Sequence, residues 1–183
     1  MRYRPFLATL VLLAVSGLAA CNEEIVIPEP MTLTRDAVGH YCNMIIEDHP
    51  GPKAQIFEDG VEAPFWFTSV RDALFYRSLP GEGTRILVVY VQDTAAITDW
   101  ANPPADGLRI KLEDAVFVVN SAKRGGMGAR EAVSFARRED AEKFRDQYGG
   151  EIVSYTEIPE DYLTGDDAAM PHTSDAGPSH TVH

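Results

Sequence analysis

Phe67-Thr68-Ser69-Val70-Arg71-Asp72-Ala73-Leu74-Phe75-Tyr76 and Phe135-Ala136-Arg137-Arg138-Glu139-Asp140-Ala141-Glu142-Lys143-Phe144 are the two stretches that decide the fold. Phe67, Asp72, Ala73 and Tyr76 match Phe135, Asp140, Ala141 and Phe144 at identical internal spacing. A strand end, an acid near the start of a helix and the helix face therefore recur together, as duplication of one unit requires. Two unrelated amphipathic helices would match only by chance.

Working outward from the first stretch, Ala54-Gln55-Ile56-Phe57 and Val61 to Phe67 are strand-like and joined through Asp59-Gly60, a hairpin signal. Ser69 is the expected N-cap of a helix running to about Leu79, and Pro80-Gly81 stops it. Ile86 to Val91 is a continuous β-branched strand. Around the second stretch, Ala115 to Val119 and Ala132 to Phe135 are strands. Arg138 to Tyr148 is a helix ended by Gly149-Gly150, and Ile152 to Thr156 closes the unit. The expected class is α/β (α+β): two repeated ββαβ units, about 53–93 and 113–158, each a small mixed sheet packed on one helix. The second hairpin carries an insertion, Asn120 to Arg130, that holds Gly125-Gly126-Met127-Gly128.

The ends read differently. Arg2 and Arg4, the apolar run Phe6 to Val15 and Leu18-Ala19-Ala20-Cys21 form an export signal over 1–20 with a lipidation site at Cys21. Asn22 after that cysteine favours the outer membrane. The envelope reading is a body on the periplasmic side, tethered through 21–38, folded over 39–163 and followed by a Gly, Asp, Ser and His tail over 164–183 expected to be disordered. Net charge is −12, and removing Arg2 and Arg4 with the signal leaves the mature body near −14. Such a surface disfavours nucleic acid and suits a basic protein face or cations.

Cys21 and Cys42 are the two cysteines. Once Cys21 is acylated, Cys42 has no disulfide partner within the chain. It sits in His40-Tyr41-Cys42-Asn43-Met44. In an extended segment Cys42 and Met44 share a face and reach one ion. In a helix they diverge by about 200°, and chelation needs a bend. A buried cysteine with a core methionine is the competing structural reading. Met127, between glycines that permit positive φ and close backbone approach, has no obvious core to fill. One thiolate with two thioethers suits Cu(I) rather than Zn(II), which takes nitrogen and several thiolates. His40 and His49 flank the thiol, and each serves equally as a nitrogen donor or a loop histidine. Met170, His172, His180 and His183 form an irregular set in the tail. Enzyme signatures are thin: no phosphate-binding glycine loop and no His-Glu-x-x-His occur, and no third group orients a Cys42–His pair.

The order of these pieces resembles the NosL-type nitrous oxide reductase accessory lipoproteins. The pieces are an acylated N-terminus, Cys-x-Met, a Pro-Gly turn, Ala54-Gln55-Ile56, Phe65-Trp66-Phe67 before a helix, and a Gly-x-Met-Gly loop. The likeness covers about Gly39 to Ile158. It implies a periplasm-facing copper chaperone with duplicated ββαβ architecture that supplies Cu(I) for the copper–sulfide cluster of nitrous oxide reductase. It implies as partners that reductase and a dedicated ABC-transporter maturation complex. By position, Cys42 and Met44 match the family's Cys-x-Met, and Met127 matches its loop methionine. The histidine ligand maps to neither His40 nor His49 with certainty. A proline often precedes the loop methionine in the family, where this chain has Gly126. The fold also resembles one module of organomercurial lyases, but the additional cysteine of that chemistry is missing. Two other classes stay open on the residues alone: a non-metal scaffold lipoprotein of an envelope complex, and a thiol-dependent enzyme.

Overall fold

A computed structural model describes residues 25–165. Both units form. The first comprises β1 (Ala54–Glu58), β2 (Phe65–Phe67), α1 (Val70–Ser78) and β3 (Ile86–Gln92). It is extended by β4 (Leu108–Lys111), giving the sheet order β2-β1-β3-β4. The second comprises β5 (Val116–Val119), β8 (Val133–Phe135), α2 (Arg138–Tyr148) and β9 (Glu151–Ser154), in the order β8-β5-β9. In each unit the first strand is central, flanked by its hairpin partner and by the strand after the helix. That identity of order supports duplication.

The sheets are antiparallel, not mixed as the sequence suggested. Ala54 pairs with Phe67 on one side and Val91 on the other, and Val116 pairs with Phe135 and Ser154. Each helix carries the chain past the first strand to its far edge. The last strand thus runs parallel to the hairpin's second strand but never neighbours it.

Local chemistry explains the boundaries. The Ser69 side chain accepts from the Asp72 amide, the expected N-cap. Gly149, at φ +73°, ends α2 by donating to the Arg145 carbonyl. The strand expected from Val61 shortens to Phe65–Phe67. Val61 turns back to donate to the Glu58 carbonyl, and Pro64 offers no ladder donor. The insertion folds as a hairpin of β6 (Arg124–Gly125) and β7 (Ala129–Arg130).

The units share one core. Ile56, Phe67, Val70 and Val91 pack in the same buried cluster as Phe117, Val119 and Ala132 of the second unit. Tyr162, on the short helix α3 (Glu160–Thr164), closes that cluster. Part of the segment read as tether lies on the body. Tyr90 donates to the Pro28 carbonyl, Met31 exchanges two hydrogen bonds with the Gln55 amide, and Leu33 is buried. At the other end, Thr164 closes α3 and the Gly165 carbonyl accepts from Arg71. The signal, Cys21 and the remaining tail lie outside the described residues.

Candidate metal centre

Residues 37–46 form a tight loop laid against β2. Ile46 donates to Ala37, Gly39 donates to Met44 and Asn43 donates to Gly39, while the His40 amide bonds the Trp66 carbonyl. Asn43 has φ +53°, a left-handed position that asparagine tolerates better than most side chains. The Cys42–Met44 segment is thus neither of the two forms weighed from the sequence, strand or helix, but is bent at Asn43. Gly39 makes room for the thiol, since a Cβ there would come within 2.6 Å of Cys42 Sγ.

Met127 arrives from the second unit. The Gly128 amide donates to the Gly125 carbonyl, closing a turn with Met127 at its tip and Gly126 and Gly128 at φ +40° and +85°. The turn is pinned from behind. Gly126 donates to the Pro50 carbonyl and packs on Thr68 and Ser69 at the N-terminus of α1. The Trp100 indole donates to the Arg124 carbonyl.

Together these elements enclose a cavity of about 250 Å³, lined by Gly39, His40, Cys42, Phe67, Asp72 and Met127 among others. Cys42 and Met127 thus meet at one opening although they come from different units. Met127 is 63% exposed and Met44 is 40% exposed. Met44 is not among the residues that line the cavity.

The two histidines part company. His40 lines the cavity, its ring against Phe65, Phe67 and Tyr76 with centroids 4.5, 5.7 and 5.1 Å away. His49 is buried outside it, with Nδ1 2.9 Å from the Ile45 carbonyl oxygen. Among the described residues, no three His, Cys, Asp or Glu side chains gather to hold a metal. Two of the donors that line the cavity, Cys42 and Met127, are sulfur, and soft ligands of this kind favour Cu(I).

The surroundings are acidic. Burial pushes the Tyr41 phenol up to about 12, helped by the Asp72 and Glu82 carboxylates. Tyr76 donates to Glu58 at 2.6 Å and to Glu82 at 3.0 Å; burial first and those carboxylates second raise its phenol. Negative potential at the cavity mouth favours a cation.

Sequence reasoning missed two buried titratable side chains outside the cavity lining. Lys53, 1% exposed, donates from Nζ to the carbonyls of His49, Pro50 and Gly51 at 2.6, 3.0 and 2.7 Å. Glu131, also 1% exposed, accepts at Oε1 from Ser69 Oγ and from the amides of Arg71 and Ala132, while Oε2 has no hydrogen-bond partner. Asp72 was legible only as a helix-start residue, yet it walls the cavity. A larger cavity of about 380 Å³ opens on the second unit beside Phe135 and Asp140, the counterparts of Phe67 and Asp72. It has no sulfur in its lining, and none of the candidate ligands reaches it.

The sequence model of the family described as NosL matches residues 30–163. The chain belongs to the NosL family. A copper-binding lipoprotein NosL from Achromobacter cycloclastes is 43% identical over 152 residues, covering 81% of this chain and 78% of that protein. One from Stutzerimonas stutzeri is 33% identical over 167 residues, covering 89% and 84%. The crystal structure of the copper chaperone NosL from Shewanella denitrificans superimposes with a TM-score of 0.67 at 32% identity. It covers 72% of this chain and 96% of that one. These names describe copper binding and chaperoning, not catalysis. The NosL match spans both ββαβ units, the Cys42 loop and the Met127 hairpin.

Proposed function

We propose that this chain holds one Cu(I) ion and passes it on by ligand exchange, serving assembly of the copper–sulfide cluster of nitrous oxide reductase. The observation that carries the reading is the meeting of Cys42 and Met127 at one cavity. The Cys42 thiolate anchors the ion, and Met127 and Met44 add neutral thioether donors. His40, at the cavity wall, is the nearer of the two histidines as a further donor. A site with one anionic ligand and exposed, neutral thioethers gives up Cu(I) readily to a sulfur-richer acceptor. The copper-binding and chaperone names of its relatives support the cargo, and the acidic surface suits docking to a basic partner face.

The same reading places the protein on the periplasmic side of the envelope, anchored by lipid at Cys21, with the outer membrane favoured by Asn22. Its partners are the reductase and the ABC-transporter complex of its maturation. The test is an anaerobic Cu(I) titration of the mature chain against a chromophoric Cu(I) chelator, with Cys42→Ser, Met44→Ala and Met127→Ala beside it. One equivalent is expected to outcompete the chelator, lost with Cys42 and weakened with each methionine. If Cys42→Ser binds as tightly as the parent, the assignment fails.

A further inference from the structure

Two buried titratable side chains, Lys53 and Glu131, hold the segments next to the sulfur cavity's lining. Nζ of Lys53 gathers the carbonyls of His49, Pro50 and Gly51, the turn that follows the Cys42 loop. The Pro50 carbonyl also receives the Gly126 amide, one residue before Met127. From the other side, the Glu131 carboxylate binds the N-terminus of α1 through Ser69 and the Arg71 amide. It fills the space beside Gly125, where an added Cβ would collide with it. Gly125 and Gly126 are therefore held between Lys53 and Glu131, and the Met127 tip projects from that grip. Charged side chains this deeply buried cost stability unless their hydrogen bonds offset it. Nothing in the packing of the two units requires charge here, since apolar side chains fill the adjoining core.

We propose that Glu131 and Lys53 are positioning residues that set the distance of the Met127 sulfur from Cys42, and through it the retention of Cu(I). This rests on the copper reading above. The carboxylate acts through Gly125 and the ammonium through Pro50 and Gly126. Neither lines the sulfur cavity.

The experiment is a double-mutant cycle on the full mature chain, read by Cu(I) competition with a chromophoric chelator and by sulfur count in X-ray absorption. Glu131→Ala is expected to weaken Cu(I) binding by about tenfold, within the range seen when outer groups that orient metal ligands are removed. It should also lose one sulfur from the copper shell. Glu131→Gln, which keeps the acceptor for Ser69, Arg71 and Ala132, should restore both. In a Met127→Ala background, Glu131→Ala should then have no further effect. Additive losses in that background would overturn the proposal, as would an unchanged sulfur count. If Glu131→Ala does not fold, Gly125→Ala displaces the same turn by driving a Cβ against the carboxylate, and Lys53→Met releases it from the other side. Both must cost affinity in the parent and nothing in Met127→Ala. A parent chain that binds no Cu(I) in the same titration would instead remove the copper reading on which the cycle stands.

Discussion

Cys42 Sγ rests over the α-carbon of Gly39, where any Cβ would stand 2.6 Å from the sulfur. Real side chains do not tolerate that approach, so Gly39→Ala must push the thiol aside. The glycine carries no left-handed φ, and the loop's hydrogen bonds from Gly39 to Met44 and from Asn43 to Gly39 are made by the backbone. The loop should therefore survive, with an overpacking cost of about 1–3 kcal/mol. Gly39→Ala is expected to lower Cu(I) affinity at least as much as either methionine variant while the far-UV spectrum is retained. Chelator competition on the folded variant checks it, and an unchanged affinity would mean the thiol's present seat does not matter.

His40 and His49 should separate cleanly. His49 is buried and its Nδ1 is bonded to the Ile45 carbonyl, so His49→Ala should lower unfolding free energy by about 0.5–1.5 kcal/mol for the lost bond, before any packing loss. It should leave Cu(I) stoichiometry intact. His40 stands in the cavity wall against Phe65, and His40→Phe keeps the aromatic packing while removing both nitrogens. Copper affinity should fall for His40→Phe and not for His49→Ala, with denaturant melts showing the reverse ranking.

Much of this architecture was legible because it is local or periodic. The recurrence of Phe67, Asp72, Ala73 and Tyr76 carries the two units, and Ser69 and Gly149 mark helix ends by their own side-chain and backbone chemistry. What escaped depends on partners distant in sequence. β4 follows Pro103-Pro104 and Gly107 and becomes a strand only because the free edge of β3 accepts it. Lys53 and Glu131 read as surface residues by type, and only the assembled fold shows the carbonyls and amides that hold them inside. The bend at Asn43 and the choice between His40 and His49 likewise depend on a loop whose path is set by Trp66.

Tyr162 offers a test of how the C-terminal helix is tied on. Its hydroxyl donates to the Glu131 carbonyl at 2.8 Å and accepts from the Asn120 amide at 3.3 Å, and its own carbonyl receives Arg71 Nε. Tyr162→Phe keeps the ring in the core and removes the partner of the buried Glu131 carbonyl and of the Asn120 amide. A loss of about 1–3 kcal/mol in unfolding free energy is expected by denaturant titration. A neutral result would show that solvent reaches those groups.

Stability should pass through a minimum near pH 8, because the two buried titratable groups pull in opposite directions on either side of it. Burial is the main cause that pushes Glu131 from 4.5 up to about 8, with Asp72 adding to the rise and Lys53 and the Arg71 and Ser69 hydrogen bonds opposing it. Between those values the folded state keeps a proton that the unfolded chain has lost, so the group's contribution is whole below pH 4.5 and drains away as pH climbs to 8. Burial likewise pulls Lys53 from 10.5 down to about 8, opposed by Glu131. Above pH 8 the unfolded chain holds the extra proton instead, and stability recovers toward pH 10.5. Each limb has a slope of at most about 1.4 kcal/mol per pH unit. Carboxylates held low by hydrogen bonds, Asp99 by Asn102 and Asp140 by Lys143, titrate below this window and do not mask it. Urea melts from pH 5 to 10 are expected to show the minimum in the parent. Glu131→Gln should abolish the acid limb and Lys53→Met the alkaline limb, each leaving the other limb shifted by loss of its opposing partner, whereas a parent curve without a minimum would mean that water or a local opening relieves the burial.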